Sequence, residues 1–116
     1  MNVEDFRNYC LSKPKTTEDF PFDQDTLVFR IETKIYCLVN IRKLPLSVNL
    51  KCDPDYAIEL REKYDAISPG YHMNKKHWNT ICLDELGNDE LLMQLVDHSY
   101  EMVVKGLPKK VRDQLK

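Results

Sequence analysis

The run LSVNLK at residues 46–51 constrains the fold more than any other stretch. Leu46, Val48 and Leu50 fall on one side of an extended chain, and Ser47, Asn49 and Lys51 on the other. Such alternation specifies a strand with one covered and one open face, the habit of an antiparallel sheet. TLVFRI at 26–31 repeats it, setting Leu27, Phe29 and Ile31 against Val28 and Arg30. KIYCLVNI follows after a short link, Glu32-Thr33, which lacks the glycine usual in two-residue hairpins. An atypical turn is therefore expected there, inside a β-rich region running from about residue 16 to 51.

Helical patterns flank this region. In NVEDFRNYCLS, Asn2 can cap, Glu4 and Asp5 suit a helix N-terminus, and Val3, Phe6 and Cys10 share a face until Pro14 stops it. CDPDYAIELREKY carries the best start signal: Asp53 as cap, Pro54 at the first helical position, and Tyr56, Leu60 and Tyr64 along one side. Ser-Pro-Gly at 68–70 reads as a break. WNTICL then reads as a strand with Trp78, Thr80 and Cys82 on one face and His77, Asn79 and Ile81 on the other. A long amphipathic helix from Asn88 to Lys105 presents Leu91, Leu92, Leu95, Val96, Met102 and Val103, and Gly106 with Pro108 ends it. The tail KKVRDQLK is expected to add one helical turn or to fray. Residues 1–116 read as a single α+β domain, an antiparallel sheet packed on terminal helices and crossed by a middle helix.

Composition narrows the function. Net charge is −2 with a pI near 5.9, which argues against a protein that coats nucleic acid non-specifically. The bases are clustered, however, at Arg42-Lys43, at Lys75-Lys76 and in the tail. No apolar run approaches a membrane span, and the polar, acidic N-terminus is not a signal peptide. Four widely spaced cysteines without a CxxC pair fit buried thiols in a reducing cytoplasm, the expected location. No GxSxG, HExxH or glycine-rich phosphate loop occurs. His72, His77 and Cys82, at intervals of five, match no common zinc pattern. Cys52, beside a helix start, fits a structural thiol better than a reactive one, and Asp53 and Asp55 fit capping better than acid–base work. No enzyme activity, metal or cofactor is expected.

Three stretches carry a resemblance that spans nearly the whole chain: VNLKCDPDYAIELRE at 48–62, ISPGYHMNKKHWNTI at 67–81 and SYEMVVKGLPKK at 99–110. In these the chain resembles the YjbR-like family, also called MmcQ/YjbR, of small bacterial proteins. The resemblance implies a frataxin-like (CyaY-like) two-layer sandwich. It also implies DNA binding through a double-wing sheet surface. Frataxin-like architecture does not extend to iron here, since Glu4 and Asp5 fall far short of an acidic ridge.

Within the second stretch, GYHMNKKHWN packs two histidines, two lysines, two asparagines, a tyrosine and the sole tryptophan into ten positions. Lys75 and Lys76 suit phosphate contacts as point charges. Asn74 and Asn79 suit hydrogen bonds to base edges or sugars, while Tyr71, His72 or Trp78 could stack or wedge. His77 belongs to the same run. Asn49 and Lys51, with Ser47, would extend the surface across the open sheet face, and Arg42 and Lys43 would add charge at a turn. Each has a plainer role: Trp78 as a core aromatic, the lysines as a solvated turn, His77 capping backbone groups, Tyr71 beneath the turn, and Met73 filling a gap. The expectation is a non-enzymatic binder of double-stranded DNA. The alternative is an adaptor using the same surface for a protein partner or a small anionic ligand.

Overall fold

The computed structural model describes residues 1–70 and 73–115. Helix α1 (Val3–Leu11) starts where the Asn2 side chain accepts the Asp5 backbone N–H, and it buries Phe6 and Cys10. Strands β1 (Thr16–Asp19), β2 (Thr26–Ile31), β3 (Lys34–Asn40) and β4 (Ser47–Lys51) follow. Helix α2 (Pro54–Lys63) is capped by Asp53, whose carboxylate accepts from the Tyr56 N–H at 3.1 Å. Strands β5 (Ile67–Pro69) and β6 (Trp78–Cys82) lead into α3 (Leu83–Leu86), α4 (Asp89–Lys105) and α5 (Lys109–Asp113). The six strands form one antiparallel sheet in the order β1-β2-β3-β4-β6-β5.

The Glu32-Thr33 link closes a tight hairpin, pairing Ile31 with Lys34, and Glu32 takes φ 56° in place of a glycine. Two residues later the register slips at Phe29/Arg30. That bulge turns both Tyr36 and Cys37 toward the helices, where each is fully buried. The Ser99 hydroxyl fixes it from α4 by donating to the Tyr36 carbonyl at 2.5 Å.

One difference from the sequence reading concerns Ser-Pro-Gly. Ile67–Pro69 is an edge strand and not a break, its register fixed by Ile67 opposite Ile81. Proline is tolerated there because one side of an edge strand needs no ladder bond. Helix α3 was also not anticipated; Gly87, at φ 57°, terminates it in the left-handed region.

The sheet divides the apolar residues sharply. Leu27, Phe29, Val39, Val48, Leu50 and Ile81 face α1, α2 and α4 and join one large core with Phe6, Leu60, Leu92, Leu95 and Val96. Among the described residues the opposite face holds Val28, Leu38 and Trp78 as a small buried cluster, with Ile35 and Met73 against it. Among the described residues no helix supplies a side chain to this second cluster. None is long and apolar enough to cross a membrane. The sheet therefore has a helix-covered face and an open one.

Candidate functional site on the open face

Between β5 and β6, Gly70 and residues 73–77 form a set of local backbone hydrogen bonds beside the sheet edge. Gly70 donates its N–H to the Trp78 carbonyl at 2.9 Å. A Cβ at residue 70 would come within 2.9 Å of the Trp78 Cβ, so the close approach requires glycine. Further along, the Met73 N–H reaches the Gly70 carbonyl and the His77 N–H reaches the Asn74 carbonyl. Asn74 Oδ1 accepts the Lys76 N–H at 2.9 Å, a local turn that leaves its amide nitrogen uncommitted to that bond. On the β4 side, Cys52 donates its N–H to the His77 carbonyl at 2.7 Å.

Arg61 of α2 holds this loop from outside. Its Nε donates to Asn79 Oδ1 at 2.6 Å, and its Nη2 donates to the carbonyls of Lys75 and of Trp78, the latter at 3.3 Å. Asn79 Nδ2 in turn donates to the Ala57 carbonyl at 3.4 Å. A guanidinium presents several donors in a rigid fork, which is why one arginine can gather three acceptors from two consecutive turns of chain.

The result is a cleft of about 380 Å³ lined by Lys51, Asn74, His77, Trp78 and Met102. Asn74, Lys75 and Lys76 are exposed, whereas Lys51 and His77 are half-buried. Met102 brings α4 to the rim. Behind the cleft, His98 Nε2 accepts the Asp53 N–H at 3.1 Å, and the imidazole meets the Tyr56 ring edge-on at 5.0 Å. Burial lowers its pKa below 6.5, outweighing the opposing pull of the Asp53 charge, and the positive charge of Lys105 adds a smaller push downward. Cys52 is structural in this setting: burial, with the Asp53 charge adding, pushes its thiol up to about 11. Among the described residues no group of three His, Cys, Asp or Glu side chains could hold a metal ion.

A family model described as YjbR matches residues 11–102. The chain belongs to the YjbR family. Escherichia coli (strain K12) YjbR is 30% identical over 115 residues, covering 99% of this chain and 98% of its own. YbdF of Escherichia coli O157:H7 is 38% identical over 112 residues, covering 96% and 89% respectively. The crystal structure of Deinococcus radiodurans protein DR2400, with a DUF419 domain, matches with a TM-score of 0.91 at 42% identity, over 98% of this chain and 87% of that one. YjbR and YbdF are both named as uncharacterised proteins, and neither name states an activity.

Within this YjbR-family fold the residues singled out from sequence fall into three places. Lys51, Asn74 and His77 come together in the cleft, and Lys75 and Lys76 are exposed on the same loop without lining it. Asn49 lies mid-face, its Oδ1 accepting the Thr80 hydroxyl at 2.6 Å. Arg42 and Lys43 are not part of the group: they follow β3, at the Ser47 end of β4, and Lys51 is at the other end, about 13 Å away along an extended strand. There Arg42 pairs with Asp25 at 2.6 Å. Asn79 is a correction. It is 2% exposed, points into the helix layer and serves Arg61 and Ala57, so it is unavailable to a ligand. Tyr71 and His72 lie outside the described residues.

Sequence reasoning missed Arg61 and His98. Arg61 had a detectable signal. An asparagine at a core-facing strand position needs a buried partner, and α2 places Arg61 one turn after Ala57, the residue Asn79 also reaches.

Proposed function

We propose that this YjbR-family domain is a non-enzymatic, cytoplasmic binder of double-stranded DNA that makes its contacts at one corner of the open sheet face. The observation that carries the reading is a cleft lined by Lys51, Asn74 and His77, with the exposed Lys75 and Lys76 on the same Arg61-bonded loop. Preordering matters because phosphate contacts that first require loop ordering lose much of their gain to entropy. A major groove admits a two-stranded ribbon such as the β5–β6 pair at this corner, though not the whole six-stranded face. The frataxin-like reading of the fold belongs to the same proposal, supported by the helices lying in one layer and the antiparallel sheet in the other.

The surface is narrower than a double wing spanning the sheet. Toward the opposite edge of the sheet Arg30 of β2 is paired with Asp19 of β1 at 3.1 Å, and at the Ser47 end of β4 Arg42 is paired with Asp25. At the Lys51 corner a concavity lies beside exposed lysines of the loop that leads into β6. That concavity also favours the second reading, an adaptor for a small anion or peptide carboxylate, because duplex DNA does not enter a 380 Å³ cleft.

Fluorescence anisotropy of a labelled 20-base-pair duplex, repeated across a salt series, separates the two readings. Three lysine contacts give a slope of log K against log salt of about −3, and Lys75→Ala with Lys76→Ala reduces its magnitude by about 2. No binding at low salt, or a double variant with unchanged affinity, overturns the DNA reading.

A further inference from the structure

A second cleft, of about 530 Å³, lies where the C-terminal half of α4, α5 and the connection from α1 to β1 meet. None of its lining residues belongs to the first cleft. The two sit on different flanks of α4: Met102 lines the first, and Glu101, Val104 and Lys105 line this one. Its volume falls within the range of about 300–1,000 Å³ typical of small-molecule sites.

The walls are of two kinds. Pro14, Tyr100, Val104 and Leu115 supply apolar surface. Lys13, Lys105, Lys109 and Arg112 supply cations, with Glu101 and Asp113 as exposed carboxylates. Lys13 is already committed to Asp97 and lies 5.8 Å from the Tyr100 ring centre, and the Tyr100 hydroxyl donates to the Pro14 carbonyl at 2.7 Å. These contacts fix the floor. Lys105, Lys109 and Arg112 form no ion pair with a described residue. The Nε of Arg112 is buried and has no hydrogen-bond partner among the described residues. A buried donor of this kind is rarely left unsatisfied, and a guanidinium Nε–H with its neighbouring Nη forms the fork that receives a carboxylate or phosphate in two parallel bonds.

We propose that this cleft binds a small oxyanion with an apolar body, such as an aryl carboxylate or aryl phosphate. The oxyanion accepts from Arg112 and is held by Lys105 and Lys109, and the ring lies against Tyr100, Val104 and Leu115. This site gives a role to SYEMVVKGLPKK and to the basic tail, which the open-face corner leaves unused. It does not depend on the DNA reading.

Titrating the ¹⁵N-labelled full chain with phenyl phosphate, benzoate and inorganic phosphate tests it. At least one aryl anion shifts the amides of Val104, Lys105, Lys109 and Arg112 saturably and binds more tightly than inorganic phosphate; the tighter aryl anion identifies the head group. Arg112→Gln weakens that binding about tenfold. Lys109→Glu reverses an exposed charge without touching the core and also weakens it, so a folding defect in the first variant cannot mimic the result. Absence of saturable shifts at these four amides, or unchanged binding in Lys109→Glu, overturns the proposal.

Discussion

The two ends of β4 each place an arginine beside a hairpin loop, and the two arginines do different work. At the Lys51 end, Arg61 makes three hydrogen bonds to chain that is itself turned, and one acceptor, Asn79, is buried. At the Ser47 end, Arg42 is 72% exposed at its side chain and meets Asp25 in a single ion pair. Around the first arginine the chain builds a cleft; around the second it leaves Leu44 85% exposed and Phe22, in the adjoining loop, 65% exposed. Positive charge in the sequence marks both ends equally. Only burial of an acceptor separates a loop that is held from a loop that is decorated.

The contrast is broken most severely at Trp78, the largest member of the small open-face cluster against which Met73 packs. Trp78→Ala lowers stability by about 3–5 kcal/mol, read as a fall in the urea midpoint at constant slope. An unchanged midpoint would show that the open-face cluster adds nothing. Arg61→Met comes next, at about 2–3 kcal/mol, because it keeps the aliphatic stem but leaves Asn79 Oδ1 buried without its charged donor. Faster hydrogen exchange confined to residues 75–79 in that variant would sharpen the comparison. A variant as stable as the parent would refute it.

The strands β2 to β4 and helices α1, α2 and α4 were legible because alternation and capping are local. Leu46, Val48 and Leu50 declare a covered face without help from the rest of the chain, and Asn2, Asp53 and Asn88 each cap as their positions indicate. Strand β5 was not legible, since Ile67–Pro69 is extended only by virtue of β6 beside it. The face of Asn79 was legible and its role was not. Alternation places it opposite Trp78, but a ligand-binding amide and a buried amide differ only in whether a donor such as Arg61 arrives from another element. The same limit applies to the separation of Arg42 from Lys75. Chain order shows two basic clusters, and only the register of β4 against β3 and β6 shows that they sit at opposite ends.

His98 probes the held end from the helix side. Its folded pKa lies below 6.5 because the half-buried ring is desolvated and accepts the Asp53 N–H in its neutral form. Below pH 6.5 the unfolded chain therefore takes up the proton first, and stability falls with pH until the folded pKa is passed. The loss is smaller than that from Arg61→Met because solvent screens a ring that is only partly enclosed. Urea midpoints at pH 7.5 and 5.5 give the drop, and His98→Gln, which keeps an acceptor for Asp53, flattens it. An equal drop in both proteins would assign the effect to other groups.

Arg42→Ala is the smallest perturbation and the most direct check on the comparison. An exposed ion pair at 2.6 Å looks strong as a distance, but Arg42 keeps most of its water, Asp25 stays well exposed, and both lose side-chain freedom to meet. The expected change is about 0–1 kcal/mol, declining with added salt. If Arg42→Ala proved as costly as Arg61→Met, with the same spread of exchange into its loop, geometry at the Ser47 end would be as fixed as at the Lys51 end. The corner chosen for DNA contact would then have no structural advantage over the other. A small, salt-sensitive effect leaves the Arg61-held hairpin as the one basic loop on this face whose shape is set before a ligand arrives.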